Sequence, residues 1–186
     1  AVFLDVDGVL HPFSANSFFH APCMTALRSV VGQTGASIIL SSSWQGTPGS
    51  RAQVDAALQA NGIPCCIGQT VEPNAAGAAR VGTGEETCAS EIKRWAVKHP
   101  EQCSGGWVAI DDLDLTRFLP PKSFVRTQAE EGLTQDGAKC AVESLGGPDT
   151  SLPPLPPPPQ KPGGFNILVT RGEMQRDMIR AAMAGA

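Results

Sequence analysis

The sequence lacks several features that would assign a chain of 186 residues to a familiar class. No stretch is long and apolar enough to span a membrane, and no segment has the pattern of a signal peptide. The six cysteines include no Cys-x-x-Cys pair and have no regular spacing, so we expect neither a zinc site nor a disulfide framework. Free thiols are typical of a reducing compartment. We therefore expect an intracellular, cytoplasmic protein that binds no membrane.

Charge is also scarce, since only 17% of the residues are charged and the net charge is -4. Such a balance gives no field that attracts nucleic acid by itself, so an RNA substrate would need a local basic patch. The sequence has no Gly-x-Ser-x-Gly elbow, which argues against a serine hydrolase. The length suits one α/β domain with a sizeable core and leaves little room for a second.

The first ten residues contain the clearest pattern in the chain. Residues 2–4 are a continuous apolar run, which predicts a strand buried on both faces of a parallel sheet. Asp5 and Asp7 follow where this strand ends, the place where open α/β sheets hold their reactive groups. Gly8 allows a sharp turn directly afterwards. Two carboxylates so close repel each other, and a hard cation such as Mg²⁺ would offset that repulsion. A turn that only caps the strand is the alternative.

Two later segments repeat this order of buried strand and polar end. Residues 35–40 predict a strand that ends at Ser41, Ser42 and Ser43, and residues 106–110 predict one that ends at Asp111 and Asp112. A plain polar loop is the alternative for each. Three apolar strands that each end in such groups favour one shared site at the sheet edge.

These motifs resemble those of the haloacid dehalogenase (HAD) superfamily of phosphohydrolases. Residues 5–10 match its motif I, Asp-x-Asp-Gly-(Val/Thr)-Leu, while the serines and the pair Asp111-Asp112 match motifs II and IV. Together with His11-Pro12 and the Trp after the serines, they resemble more narrowly the capless HAD domain of Swiss Army Knife RNA repair-like proteins. The resemblance covers residues 2–145. It implies a three-layer α/β/α Rossmann-like fold with a central, mainly parallel sheet and a minimal cap or none.

The resemblance also implies roles for the acidic residues. Asp5 would be the nucleophile that forms an aspartyl-phosphate, and Asp7 the general acid and base. Mg²⁺ would be held by Asp5, the backbone carbonyl of Asp7 and Asp112, with Asp111 as the support of Asp112. The implied reaction is Mg²⁺-dependent hydrolysis of a phosphate monoester. Because Asp7 is present, a dehalogenase is not expected.

The remaining predicted site residues would bind the phosphoryl group. Motif II assigns this role to Ser41, with Ser42 as the alternative, and we group both with Gly8 as substrate-binding residues. Motif III is a Lys or Arg that neutralises the nucleophile and the phosphate, and Lys93 is the preferred candidate. Two other residues could take that role, namely Arg80 and Arg94. His11 and His20 could reach the site, although an ordinary loop role is favoured for both.

The spacing around the motifs bears on the substrate. Neither gap that holds a cap domain in HAD enzymes is long enough for one here, so we expect an open site for a macromolecular or otherwise exposed phosphate. The phosphate could belong to a protein, a nucleic-acid end or a small molecule. Two other functions stay possible: a catalytically weak HAD-fold subunit that binds proteins in a larger assembly, and a phosphotransferase. Residues 72–86, rich in Gly and Ala, predict a mobile loop that could act as a small lid.

We expect residues 1–147 to form the HAD-like domain and residues 148–164 a proline-rich linker or insertion. Residues 165–186 predict a strand and a helix that could dock on this domain or on a protein partner. The sequence starts on the motif strand without a Met, so we expect a piece of a longer chain. Further elements are predicted from apolar spacing: helices at 22–31, 50–61, 87–99 and 134–145, and strands at 63–68 and 123–127.

Overall fold

A computed structural model describes residues 1–71 and 83–159. Its centre is a five-stranded sheet in the order β3-β2-β1-β4-β5, and every neighbouring pair is parallel. The strands are β1 (Val2–Leu4), β2 (Ile38–Leu40), β3 (Gly68–Gln69), β4 (Val108–Asp111) and β5 (Phe124–Arg126). The strand that carries motif I is therefore the middle strand, and the strands of motifs II and IV lie on either side of it.

Within the described ranges, five α-helices alternate with the strands or follow them along the chain. They are α1 (Ala21–Thr34), α2 (Pro48–Ala60), α3 (Gly84–Lys98), α4 (Pro100–Cys103) and α5 (Gln135–Ser144). Two short 3₁₀ helices lie at Ser43–Gly46 and Pro121–Ser123. Threonine hydroxyls cap three helices by accepting a hydrogen bond from a first-turn backbone N–H: Thr47 caps α2, Thr83 caps α3 and Thr134 caps α5.

Alternate residues of β1 pack into two apolar cores, one on each face of the sheet. Val2 and Leu4 pack with residues of α1, α2 and α5. Phe3 points the other way, where it packs with Ile92 and Trp95 of α3. Because side chains alternate along a strand, helices on both faces are needed to bury all three residues. This arrangement confirms the predicted three-layer α/β/α fold.

Several predicted boundaries differ from the observed ones. Helix α3 begins at Gly84, inside the segment predicted to be a loop, because Thr83 provides its N-cap. Helix α1 extends three residues beyond its predicted end at 31 and stops where Gly35 adopts the left-handed conformation with φ of 63°. Strand β3 is reduced to two residues at the end of the predicted strand 63–68.

The proline-rich stretch packs on the domain as far as it is described. The side chain of Leu155 contacts the core around α1, and a Cβ added at Gly35 would lie 3.1 Å from a methyl carbon of Leu152. The Arg28 guanidinium donates hydrogen bonds to the carbonyl oxygens of Leu155 and Pro156, at 3.1 and 2.5 Å. The proline content predicted a linker or insertion and gave no sign of these contacts. They form because two leucines among the prolines supply apolar surface.

Some predictions concern residues outside this description. Residues 72–82 of the predicted lid loop and residues 160–186, which include the predicted C-terminal strand and helix, lie outside the described ranges. Within residues 1–71 and 83–159 the fold contains no helix with the length and apolar character required to cross a lipid bilayer. The connections in these ranges also hold no inserted cap domain.

Candidate active site

A cleft with a volume of about 370 Å³ lies at the carboxyl ends of the three central strands. Most of the predicted site residues line it, and they come from loops that are far apart in sequence: Asp5, Asp7, Ser41, Ser42, Asp111 and Asp112. The first two turns of α3 form another wall with Thr87 and Cys88. The sheet order explains this convergence, since β2, β1 and β4 are adjacent and parallel.

Three carboxylates meet inside this cleft. Asp5, Asp111 and Asp112 each offer one oxygen, and these oxygens all lie within 4.8 Å of one another. Burial raises the pKa of Asp5 well above its usual range, the charge of Asp111 raises it further, and a hydrogen bond with the Ser42 side chain acts in the opposite direction. Burial is also the main cause that raises the pKa of Asp111 to about 6. Ionisation of both carboxyl groups in this cleft is therefore unfavourable without a compensating charge.

Gly8 allows Asp112 to approach the motif I turn. Its φ is +71°, and a Cβ added there would lie 2.6 Å from Cγ of Asp112. Any other residue would therefore push Asp112 away and strain the backbone as well. The carbonyl oxygen of Gly8 accepts a hydrogen bond of 2.8 Å from the Thr127 hydroxyl. Gly8 is not among the residues that line the cleft; it fixes the turn and admits Asp112, and its predicted role in substrate binding stays a prediction.

Two ring nitrogens fix the carboxylate of Asp7. Nδ1 of His11 lies 3.0 Å from Oδ1, and Nε1 of Trp44 donates a hydrogen bond of 3.0 Å to Oδ2. His11 and Trp44 are both buried, while the Asp7 side chain is 41% exposed. Asp7 thus faces the cleft with its orientation set by the buried rings. His20 makes no such contact, and its Nδ1 lies 3.7 Å from Sγ of Cys23.

The two predicted serines have different neighbours. The hydroxyl of Ser41 lies 3.7 Å from Sγ of Cys88, whereas the side chain of Ser42 makes the hydrogen bond to Asp5. Ser42 also accepts a hydrogen bond of 3.5 Å from the backbone N–H of Trp44. Both serines are buried and line the cleft. The residue next to the predicted nucleophile is therefore Ser42, the alternative of the two.

Cys88 connects α3 to the acidic cluster. Its thiol donates a hydrogen bond of 3.4 Å to Oδ2 of Asp111, while Oδ1 of Asp111 accepts one of 2.9 Å from the backbone N–H of Leu113. Burial, with a contribution from the charge of Asp111, raises the pKa of the Cys88 thiol far above its usual range. The thiol is therefore neutral and serves Asp111 as a hydrogen-bond donor.

Comparison with known protein families agrees with this geometry. The family model described as "HAD domain in Swiss Army Knife RNA repair proteins" matches residues 1–138, which include all three motif strands. The chain belongs to this family of HAD domains. Searches of the curated proteins and of the solved structures found no match. The membership confirms the resemblance predicted from the motifs, and it supports a phosphatase-like activity in general.

The HAD domain does not bring Lys93, the preferred motif III residue, to the cleft. Lys93 and its neighbour Arg94 are exposed on α3, and neither lines the cleft. The inward face of this helix instead presents Ala89, Ile92 and Trp95 to the core. Arg80, the other alternative, lies outside the described residues. Within the described ranges the cleft is lined by no Lys or Arg.

Sequence reasoning gave too little weight to three residues of the HAD site. The Trp44 indole and the His11 ring contact Asp7, although only their place beside motifs II and I pointed to them. No sequence motif pointed to Cys88, because its contacts with Ser41 and Asp111 depend on how α3 packs over the strand ends. A further cation, Arg126, lies beside the site and donates a hydrogen bond of 3.3 Å to the backbone oxygen of Asp112.

The donor set of the HAD domain fits a hard divalent cation. Asp5, Asp111 and Asp112 offer only carboxylate oxygens, the ligands that Mg²⁺ prefers, and no sulfur or imidazole belongs to the group. Burial is the main cause that raises the pKa of Asp5 and of Asp111, with nearby carboxylates adding to it, so ionised carboxylates are costly in this cleft. A cation between these oxygens would offset that cost. Members of the HAD superfamily generally use Mg²⁺, which agrees with this donor set.

Proposed function

We propose that this HAD domain hydrolyses phosphate monoesters with Mg²⁺ and forms an aspartyl-phosphate on Asp5. The observation that carries the proposal is the convergence of Asp5 with Asp111 and Asp112 at the carboxyl ends of adjacent strands, with the Asp7 carboxylate beside them. A carboxylate can act as a nucleophile toward phosphorus only when it is ionised and close to groups that offset its charge. A bound Mg²⁺ would be such a group, and the carboxylates of the cleft supply oxygen ligands for it.

In the first step an oxygen of Asp5 attacks phosphorus in line, and the bond from phosphorus to the ester oxygen breaks. Asp7 gives its proton to that leaving oxygen as a general acid. In the second step a water attacks the aspartyl-phosphate, Asp7 takes the proton from that water, and inorganic phosphate leaves as Asp5 is restored. The contacts of Asp7 with His11 and Trp44 support this role, because they hold the carboxylate in one orientation.

Asp5, Asp111 and Asp112 would hold Mg²⁺, with the backbone carbonyl of Asp7 as a further predicted ligand. The ion would supply charge neutralisation where the nucleophile and the phosphoryl oxygens approach each other. Cys88 supports this ligand set through its hydrogen bond to Asp111. Ser41, buried in the wall of the cleft, would donate a hydroxyl hydrogen bond to a phosphoryl oxygen. The single hydroxyl proton of Ser42 already serves the Asp5 carboxylate, so we propose that Ser42 supports the nucleophile.

The substrate is proposed to be an accessible phosphate, either at the end of a macromolecule or on a small exposed group. The absence of an inserted cap domain within the described residues supports this choice, because nothing there closes over the cleft. The family takes its name from RNA repair proteins, and a nucleic-acid end is therefore one of the candidates, beside a phosphoprotein. A protein partner for residues 148–186 and a cytoplasmic location stay predictions.

The test is release of inorganic phosphate from p-nitrophenyl phosphate with and without Mg²⁺. We expect the wild-type chain to release phosphate only with Mg²⁺, and Asp5→Asn to be inactive although it folds, because the amide cannot form the acyl-phosphate. Asp136→Asn is the matched control, since Asp136 is an exposed acid of α5 that does not line the cleft. Turnover in Asp5→Asn equal to that of the wild type would overturn the proposal.

A catalytically weak subunit is the second candidate. One observation favours it: no Lys or Arg within the described ranges lines the cleft, so the phosphate and the nucleophile lack a cation there. The phosphate-release assay, together with calorimetry of Mg²⁺ binding, separates the two functions. If the wild-type chain binds Mg²⁺ yet releases no phosphate from any monoester, the protein-binding subunit is the better conclusion.

A further inference from the structure

Two apolar side chains are exposed inside the candidate active site. Phe13 is 46% exposed and Leu113 38%, and both line the cleft. Only two other large hydrophobic side chains within the described ranges are exposed to this degree, Ile67 and Val97, and neither lines the cleft. An aromatic side chain left in water beside a polar site forgoes burial, which marks it as a candidate surface for a ligand.

The exposure of Phe13 does not come from a loose loop. Its backbone N–H donates a hydrogen bond of 2.8 Å to the carbonyl oxygen of Ala129. The hydroxyl of the next residue, Ser14, donates one of 2.5 Å to the backbone carbonyl oxygen of Glu130. The same two segments are joined again where the N–H of Leu133 donates 2.8 Å to Val9. Phe13 is thus presented to the cleft by a loop tied at three points, and little conformational entropy is lost when it binds.

Leu113 is fixed by the acidic cluster itself. Its backbone N–H donates a hydrogen bond of 2.9 Å to Oδ1 of Asp111, one of the predicted Mg²⁺ ligands. The apolar side chain therefore begins next to the predicted metal ligands, at the end of the cleft where the reaction is proposed to occur. The cleft, at about 370 Å³, is at the small end of ligand pockets. It has room for a phosphoryl group and one ring-sized group.

We propose that Phe13, assisted by Leu113, binds a planar aromatic ring on the alcohol side of the phosphate ester. The inference rests on the proposed phosphatase function and adds the chemical class of the leaving group. A ring can stack on Phe13 and contact Leu113, whereas an alkyl chain gains apolar contact with these side chains but no stacking. Stacking of one ring on one aromatic side chain would favour the aryl ester about tenfold.

The test compares two pairs of esters that differ by a ring: phenyl phosphate with ethyl phosphate, and adenosine 5′-monophosphate with ribose 5-phosphate. Phosphate release by the full chain with Mg²⁺ gives kcat and KM for each. In Phe13→Ala we expect KM to rise about tenfold for the ring-bearing member of a pair, with KM of its partner and both kcat values unchanged. Phe13→Leu should lie between, and Val97→Ala, which removes exposed apolar surface from α3, should match the wild type.

The pattern of effects identifies the ring. A change in the first pair alone indicates an aryl group directly on the ester oxygen, and a change in the second pair alone indicates a nucleobase. Equal changes within each pair, or none, would overturn the proposal. Calorimetry of phenylphosphonate and ethylphosphonate with the wild type and Phe13→Ala tests ring binding without turnover. If no ester is hydrolysed but the wild type alone prefers the phenyl compound, the proposed function fails and the inference about Phe13 stands. An equal affinity of the wild type for both compounds would overturn the inference about Phe13.

Discussion

The indole Nε1–H of Trp44 donates a hydrogen bond of 3.0 Å to Oδ2 of Asp7. This contact joins the loop after β2 to the loop after β1. The rings of Phe18 and Phe19 lie edge-on to Trp44, with centroids at 5.7 and 5.5 Å, so the indole cannot turn away without breaking their packing. The proposed acid and base is thus oriented by the buried indole of Trp44 and the half-buried rings packed against it.

Trp44→Phe should lower kcat for p-nitrophenyl phosphate about tenfold and leave KM nearly unchanged. The phenyl ring keeps most of the packing with Phe18 and Phe19 but cannot donate to Asp7, so proton transfer loses alignment. Steady-state kinetics would measure the change. Trp95→Phe is the matched control, because Trp95 packs in the other core, against Phe3 and His99. Equal losses of kcat in both variants would contradict the role assigned to the indole.

Asp111→Asn should stabilise the metal-free protein at pH 8 by about 1–3 kcal/mol. Burial raises the folded-state pKa of Asp111 to about 6, above its unfolded value of 3.8, so the folded state is disfavoured when this group is ionised. The gain should shrink as the pH falls from 6 toward 4, since the wild-type carboxyl then takes up a proton in the folded state. Chemical denaturation at several pH values gives the free energies of unfolding.

Added Mg²⁺ should reverse this order of stability. A ligand that binds only the folded state stabilises it in proportion to its affinity, and Asp111→Asn loses one carboxylate ligand. We therefore expect Mg²⁺ to raise the Tm of the wild type more than that of the variant. Asp136→Asn, at an exposed acid of α5 outside the cleft, should respond to Mg²⁺ as the wild type does. A stability gain that is the same at pH 4 and pH 8, or equal Tm shifts with Mg²⁺, would show that Asp111 is not in the charged cluster.

Cysteine alkylation tests the packing of α3 over the site. Burial raises the pKa of Cys66 to about 12 and that of Cys88 further, whereas Cys140 is exposed. Because the thiolate is the reacting form, iodoacetamide should label Cys140 at least about a hundredfold faster than Cys66 or Cys88 in the folded protein. Mass spectrometry of timed samples gives the rates, and the difference should vanish in urea. Rapid labelling of Cys88 in the folded state would contradict its packing between α3 and the strand ends.

Removal of the proline-rich stretch should destabilise the fold and leave its chemistry intact. A chain that ends at Gly147 loses the contacts of Leu152 and Leu155 with the α1 face, and we expect its Tm to lie about 5 °C below that of a chain ending at Pro159. The rate of phosphate release per folded molecule should be equal in the two.

Point variants separate packing from chain length in that comparison. Leu155→Ala should lower the free energy of unfolding by about 1 kcal/mol, because its half-buried side chain contacts the core. Pro154→Ala, at an exposed neighbouring position, should have little effect. If the chains ending at Gly147 and Pro159 melt together, the docked leucines contribute nothing, and the stretch acts only as a spacer.

The sequence predicted the parts of the site that depend on strands. Residues 2–4, 38–40 and 108–110 are continuous apolar runs, each followed by polar side chains, and parallel pairing brings those ends together without further information. Asp5, Ser42 and Asp112 were accessible from sequence for this reason. The helix α5 was placed almost as well, because Thr134 is a clear N-cap.

The parts that depend on helix rotation were not predicted. Lys93 and Cys88 lie on the same helix, and only the packing of Ile92 and Trp95 decides which of the two faces the strand ends. Apolar residues at 89, 92 and 95 define an inward stripe, and the residue one turn before Ile92 is Cys88, not Lys93. The packing of Leu152 and Leu155 on the domain was not predicted for another reason. The prolines around them favoured a linker, although the two leucines dock on the domain.

The position of β1 between β2 and β4 determines when the site can exist during folding. Phe3 pairs with Ile39 on one side and with Ala109 on the other, so the middle strand keeps an open edge until most of the domain has been made. Pairings of such long sequence separation are costly to close and form late. An emerging chain would therefore present Asp5 and Asp7 without Asp111 and Asp112 for much of its synthesis. The proposed Mg²⁺ binding should then appear only when β4 has paired with β1, which makes cation affinity a reporter of the assembly of the three central strands.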